Sequence, residues 1–497
     1  MASRFIVTTN ELPKSSTFFN FTIVTQVATY KILGMRIPFP PKGVDSPQDK
    51  VATWVILSSI WKNMQVLNPL AIQLNQQLRD VAPAVSALLS ELGKRIYLPK
   101  GILSQTAEAN TKAHRFNATR AIALDFSQDA GDMMHLQASR ELVPELSPEN
   151  IYGYAPILGQ QALRETWKTH LSKANPSLAG KTFSLPIVTS GMTHGFSLLA
   201  ELFVDNGDML ILPDKIWGNY RLIFQTKAGA TLQTYPFLNA VSGFNTHGFW
   251  ETLTNATDEK LLVLLNFPHN PTGYAITQAE ATQIVDAIVA CADTGCRILV
   301  MVDDAYAGLW FDAATMHESL FGLLVGCHPN VIPVKIDGAT KEEYAWGLRV
   351  AFITFGLGET PMQPLEQKLS GLIRANTSGA AQVSQTLILE AMKTPRYAEQ
   401  KRRNYEMLKA RALKVKAVAS DAKYAELWEV YPSHAGYFAC LNLKSANAET
   451  VRQRLLVEHG IGTIALGETE LRIAYSCLDA SDIETVFAVI AKVIEAL

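Results

Sequence analysis

Five groups of polar residues follow short apolar runs in this chain, and together their side chains suggest one chemistry. Gly191-Met192-Thr193 follows 186–189, Trp217-Gly218-Asn219 follows 209–212, and Asn270-Pro271-Thr272-Gly273 follows 261–267. Asp303 with Tyr306 follows 298–302, and Lys341 follows 331–336. In open α/β sheets ligands bind beyond the carboxyl ends of the strands, so these groups are placed where a site is expected. Arg349 stands before its run, 350–355, and so at the opposite end of that strand. A lysine amine condenses with an aldehyde, a carboxylate keeps a pyridine nitrogen protonated, and a helix start with an arginine holds a phosphate. The ligand that asks for all three is pyridoxal 5'-phosphate.

The apolar runs alternate with helical stretches, which is the pattern of βαβ units feeding a mostly parallel sheet. Helices are expected over 277–292, 364–372 and, as one long element, 380–419. Strands at 436–443 and 470–476 with helices at 448–459 and 482–497 predict a smaller α+β part. Helical spacing begins near Asn68, with Leu70, Ile72, Leu74 and Leu78. Residues 1–63 show no lasting period and read as a poorly structured leader; an organelle-targeting segment or a small accessory layer are the alternatives. The expected division is 1–63 leader, 64–134 with 401–497 as the small domain, and 135–400 as the large, cofactor-binding domain.

The 497 residues are 48% hydrophobic and 18% charged, with 44 basic against 46 acidic side chains, which is globular composition and excludes dominant disorder. A net charge of −2 without a dense basic run lacks the footprint of phosphate-backbone binding, so no nucleic-acid partner is expected. No apolar stretch reaches the ~20 residues a bilayer span needs. Cys291, Cys296, Cys327, Cys440 and Cys477 form no C-x-x-C pair, so no metal is expected, and they read as buried thiols in a reducing compartment, the cytoplasm. Asn175-Pro-Ser-Leu-Ala-Gly-Lys-Thr182 has the tail of a phosphate-binding nucleotide loop but Asn175 where its first glycine belongs, and ATP binding is rejected.

From about Tyr152 to Ser476 the chain resembles the class I aminotransferases of pyridoxal-phosphate fold type I, of the aspartate aminotransferase kind. The motifs that carry this are Tyr154-Ala-Pro-Ile-Leu-Gly159, Trp217-Gly-Asn219, His269-Asn-Pro-Thr-Gly273, Asp303-Asp-Ala-Tyr306, Lys341 with Arg349, Ile373-Arg-Ala-Asn-Thr-Ser378 and Leu471-Arg-Ile473. The resemblance implies a large domain with a seven-stranded, mostly parallel sheet between helices, and a smaller α+β domain. It implies that Lys341 carries the covalent link to the cofactor and later moves the proton, and that Asp303 pairs with the pyridine nitrogen, making the ring an electron sink. By the same resemblance Asn270 and Tyr306 hydrogen-bond the ring's phenolic oxygen and Trp217 stacks on its face. Gly191, Met192, Thr193 and Arg349 hold the phosphate, and Tyr154 reaches it from the neighbouring subunit of a homodimer with shared sites. Arg472 grips the α-carboxylate of the substrate as a fork, and Arg374 reaches across the dimer to a second carboxylate. The chain departs from the family at Gly338, where a serine usually stands three residues before the lysine, and at Met192 and His194 in the phosphate turn.

The expected function is transfer of an amino group between an L-amino acid and a 2-oxo acid, with aspartate or a related amino acid and 2-oxoglutarate favoured. A lyase or decarboxylase on the same fold shares the cofactor residues and breaks a different bond at Cα. A regulator with an aminotransferase-like domain would need a basic, periodic DNA-binding module, which residues 1–63 do not offer.

Overall fold

In this computed structural model the chain forms two compact units, Met1–Gln65 and Val66–Leu497. The structure describes residues 67–497 except 82–85, 87–88, 98–100, 128–130 and 240–242, together with three strands of the first unit. These strands, β1 (Ile6–Thr8), β2 (Asn20–Val24) and β3 (Thr29–Ile32), pair antiparallel in that order. β1, at three residues, is shorter than the roughly four to eight over which alternation marks a strand, and β2 and β3, at five and four, fall at the low end of that range.

The second unit is built on seven strands: β4 (Ile187–Ser190), β5 (Met209–Pro213), β6 (Thr231–Tyr235), β7 (Lys260–Asn266), β8 (Arg297–Asp303), β9 (Val331–Gly338) and β10 (Val350–Phe355). Their order across the sheet is β4-β10-β9-β8-β7-β5-β6. Leu261 to Leu265 and Ile298 to Val302 are all buried, as continuous apolar runs covered on both faces must be. β6 was not anticipated because it is the edge strand: Thr231, Gln233 and Thr234 are exposed, so it carries no apolar run. Neighbours from β9 through β6 are parallel, whereas β10 runs antiparallel to both β9 and β4. That reversal accounts for Arg349, which stands before its strand and yet beside the carboxyl ends of that strand's neighbours.

Helices cover the sheet: α1 (Gln161–Ala174), α2 (Met192–Phe203), α3 (Gln278–Asp293), α4 (Ala339–Glu342), α5 (Glu359–Asn376), α6 (Gln382–Lys393) and α7 (Tyr397–Ala419). α3 starts where Thr277 and Glu280 cap each other's backbone amides. The single helix expected over 380–419 is two, because Pro395 has no N–H to donate and disfavours helical backbone at Thr394 before it. The C-terminal part is an antiparallel sheet of β11 (Trp428–Val430), β12 (Phe438–Leu443), β13 (Ile464–Leu466) and β14 (Glu470–Ala474), in the order β11-β12-β14-β13. It is backed by α8 (Ala448–His459) and α9 (Ile483–Glu495). Phe116–Asn117 pairs with Ile461–Gly462, which joins the start of the second unit to this C-terminal part. Four cysteines are buried; Cys327 is partly exposed. No helix among the described residues is long and apolar enough to cross a membrane.

The second unit carries its own continuous core, so its folding should not need the first. A chain starting at Met64, which lies outside the described residues, is expected to melt within a few degrees of the full chain and to bind cofactor equally. Insolubility or loss of the cofactor's colour on truncation would show that residues 1–63 are structural.

Candidate active site

The carboxyl edge of β7, β8 and β9 and the starts of α2 and β10 enclose a cavity of about 210 Å³. Met192, Thr193, Trp217, Asn270, Asp303, Tyr306, Lys341 and Arg349 line it, so eight of the residues predicted from sequence meet there. Gly191 adjoins it as the residue before α2. Tyr154 and Arg374 do not: Tyr154 is fully exposed, and Arg374 is exposed at the last turn of α5.

Asp303 ends β8 and is 3% exposed. Its Oδ1 accepts from the Ala305 amide at 2.9 Å, and its Oδ2 accepts from the Tyr220 hydroxyl. Burial pushes its pKa up to about 6, against the opposing pull of these donors and of Lys341. Burial also lowers the Lys341 amine to about 8, with Asp303 opposing and Arg349 assisting. The Lys341 Nζ stands 5.3 Å from the centre of the Tyr306 ring. Tyr306 is itself buried, and burial raises its phenol's pKa while Arg472 holds it down.

Arg472 lies on β14, 2% exposed, with Nη1 donating to Asn270 Oδ1 at 3.2 Å and Nη2 to the Thr119 carbonyl at 3.0 Å. The guanidinium sits 4.2 Å from the Phe438 ring centre, and its Nε finds no partner. Burial lowers its pKa to about 10.

At the other end of the cavity Gly191 and Arg349 require each other. Gly191 has φ 85°, and a Cβ there would overlap the Arg349 guanidinium. Arg349 itself has φ 54°, a region a non-glycine residue rarely holds. Gly338 explains the missing serine: opposite Ala351 in the β9–β10 pairing, its Cβ would stand 2.8 Å from Ala351 Cα and from the Val350 carbonyl. Thr340, which lines the cavity, keeps a buried hydroxyl without a hydrogen-bond partner. His194 accepts the Ser190 amide through Nδ1 at 3.1 Å, and burial lowers its pKa, so it is a neutral packing group.

Two residues of the site, Tyr220 and Asn266, were not anticipated; Thr340 was anticipated only as a stand-in for the serine missing at Gly338. Tyr220 follows Trp217-Gly-Asn219 directly and leads into a π-helical turn, Arg221–Lys227, a distortion frequent at functional sites. Asn266 ends β7 opposite Asp303, donates to the Asp303 carbonyl at 2.9 Å and accepts from the Asn270 amide at 2.9 Å. Thr340 stands directly before the lysine. The available signal for Asn266 was a polar residue closing a wholly apolar strand.

These residues fit pyridoxal phosphate. The carboxylate and the amine lie in one cavity, and an arginine, a helix start and an unpaired hydroxyl border the same cavity. The architecture is that of pyridoxal-phosphate fold type I. The family model for class I and II aminotransferases matches residues 124–490, and the chain belongs to that family; it is a pyridoxal-phosphate-dependent aminotransferase. It is 23% identical over 320 residues to the cytoplasmic aspartate aminotransferase of Saccharomyces cerevisiae, covering 62% of this chain and 72% of the yeast one. It is 24% identical over 387 residues to the aromatic-amino-acid aminotransferase of Escherichia coli, covering 75% and 92%. An aminotransferase structure from Anaerococcus prevotii matches with a TM-score of 0.72 at 21% identity, covering 82% of this chain and 99% of that one.

Tyr220→Phe removes a donor to a buried carboxylate, worth ~1.5–3 kcal/mol, or roughly one to two pKa units. The Asp303 pKa then rises from about 6, so the protein should lose affinity for pyridoxal phosphate at a higher pH than the wild type as pH falls. Fluorescence titrations of cofactor binding across pH 5–8 measure this; coincident profiles would exclude Tyr220 from the role.

Proposed function

We propose that this aminotransferase moves the amino group of an L-amino acid to a 2-oxo acid, with aspartate or a related amino acid and 2-oxoglutarate favoured. The observation that carries the proposal is Arg472: a buried guanidinium with an unpaired Nε and no carboxylate within ion-pair distance among the described residues. An uncompensated buried cation is costly, and the carboxylate of an amino acid is the anion that offsets it. The aspartate and aromatic specificities named for the relatives are consistent with an α-carboxylate clamp of this kind.

When bound, the cofactor supplies a protonated pyridine ring that draws electrons from Cα of the attached amino acid. In this reading Lys341 anchors the cofactor and then carries the proton at Cα. Asp303, oriented by Tyr220, holds the ring nitrogen protonated. Asn270 serves both sides, binding the ring's phenolic oxygen and steadying Arg472. Tyr306 donates to that same oxygen, Trp217 covers the ring face, and Gly191, Met192, Thr193 and Arg349 take the phosphate. Tyr154 and Arg374 act on the neighbouring subunit's site in a homodimer, a reading supported by their exposure on this chain. The division into 64–134 with 401–497 as small domain and 135–400 as large domain is supported by the pairing of Phe116–Asn117 with Ile461–Gly462. The cytoplasm stays the proposed compartment.

The deciding experiment mixes the protein with single amino acids and follows conversion of the cofactor's colour to its amine form. Failure of every amino acid to convert it would refute transamination. Lys341→Ala should abolish turnover and covalent capture of the cofactor by borohydride while leaving a folded protein; capture at another lysine would overturn the assignment.

Arg472→Ala should injure every amino-acid substrate. Arg374→Ala should lower kcat/KM for dicarboxylic substrates selectively, by ~2–5 kcal/mol, the cost of truncating one partner of a buried ion pair. Equal losses on apolar substrates would make Arg374 an ordinary surface residue.

A further inference from the structure

Directly after Lys341 come two glutamates whose side chains take no part in the cavity. Glu342 Oε1 accepts from Lys401 Nζ at 2.8 Å and lies 3.0 Å from His170 Nε2. Glu343 Oε1 accepts from the same Lys401 Nζ at 2.8 Å and from the Tyr397 hydroxyl at 2.7 Å. Glu343 is 2% exposed, and its Oε2 has no partner. His170 belongs to α1, and Tyr397 and Lys401 to the first turns of α7. The Lys401 ammonium serves both carboxylates. Burial works against charge here, yet the opposite charges outweigh it. They hold Glu342 well below the usual carboxylate range and Lys401 and His170 above their ordinary values.

The segment these contacts grip cannot hold its own shape. α4 is four residues long, too short to be stable alone. Beyond it both Tyr344, with φ 55°, and Arg349, with φ 54°, sit in the left-handed region that side chains disfavour. Such backbone persists only when its surroundings over-determine it. Lys341 stands at one end of this segment and Arg349 at the other, and both line the cavity. The Lys341 carbonyl accepts from the Tyr437 hydroxyl at 3.1 Å, a further tie to the C-terminal part.

We propose that Glu342 and Glu343 are positioning residues: joined through Lys401, they clamp the strained segment from outside the cavity and fix the aim of Lys341 and Arg349. The clamp touches neither substrate nor cofactor. Its loss therefore misplaces the lysine and the phosphate arm without removing a binding group for the amino acid. The inference rests on the reading of Lys341 as the cofactor-bearing residue.

The test compares wild type with Glu343→Gln, which keeps shape and removes charge. Three quantities are read: the affinity of the cofactor-free protein for pyridoxal phosphate, the pH midpoint of the lysine-linked cofactor's absorbance, and kcat against KM. Expected are a kcat lower by roughly ten- to a hundredfold, the order that a ~1 Å misplacement costs, and an amino-acid KM within about twofold of wild type. The absorbance midpoint should move by ~0.5 unit or more, because the amine's surroundings change, and affinity for the cofactor should fall. A variant that melts earlier but keeps the wild-type midpoint, affinity and kcat would overturn the proposal and leave the glutamates merely structural. Should Glu343→Gln not fold, Tyr397→Phe, which removes one hydrogen bond to Glu343, decides by the same three readings. Mapping the borohydride-fixed cofactor in the wild type separates the two levels. Attachment elsewhere than Lys341 defeats the reading of the site, whereas attachment at Lys341 with wild-type behaviour in the variant defeats only the clamp.

Discussion

Lys341 and Asp303 line one cavity, and their burial displaces both from their ordinary titration. The amine is lowered to about 8 and the carboxylate raised to about 6, each shift opposed by the charge of the other. An exposed lysine, with pKa ~10.4, is almost wholly protonated near neutral pH and a poor nucleophile. One at about 8 keeps an appreciable unprotonated fraction. A carboxylate at about 6 is ionised near pH 7 and still basic enough to hold a proton on a neighbouring ring nitrogen. The surrounding architecture maintains this cavity: buried parallel strands beneath, Tyr306 and Trp217 at its walls, and the C-terminal part placing Arg472 against Asn270.

The phosphate end depends on one reversal of strand direction. Had β10 been parallel, Arg349 would lie at the amino edge of the sheet, away from Lys341. Running antiparallel between β4 and β9, it brings Arg349 beside the Ser190 end of β4 and so against Gly191, which is distant in sequence. The close pairing at Gly338 and Ala351 is part of the same turn. A side chain at 338 would push the strands apart where they must converge, which leaves Thr340, the residue before the lysine, to present a hydroxyl to the cavity.

How much of this could be read from the sequence follows from burial. Six strands of the large sheet were legible because they are apolar on both faces, and the seventh was not because its residues face water. The break between α6 and α7 was written at Pro395 but hidden by helical periodicity on both sides. Seven of the eight cavity residues could be placed because each closes or follows a strand, whereas Arg349 stands before one. Tyr220 and Asn266 act through other residues, Tyr220 on Asp303 and Asn266 on Asp303 and Asn270, and their importance is visible only in contacts between strands. The apolar run alone could not set Arg349 beside Lys341, since such a run does not record its direction; the resemblance in the spacing of the two residues carried that expectation.

Asp303 and Asp304 show why the charge beneath the site matters as much as the charge within it. They are adjacent and both buried, yet Asp303 serves the cavity while Asp304 binds Lys335 Nζ and the Ser319 hydroxyl. Lys335 also lies 3.4 Å from Asp337, which accepts from Trp167 Nε1 at 3.1 Å. Two like charges so close in a dry interior would drive one carboxylate to protonate. The repulsion of Asp304 acts on Asp303 less than burial, Tyr220, Ala305 and Lys341 do. With Asp304 engaged by Lys335 and Ser319, burial and the groups that face Asp303, the Tyr220 hydroxyl first among them, dominate its ionisation.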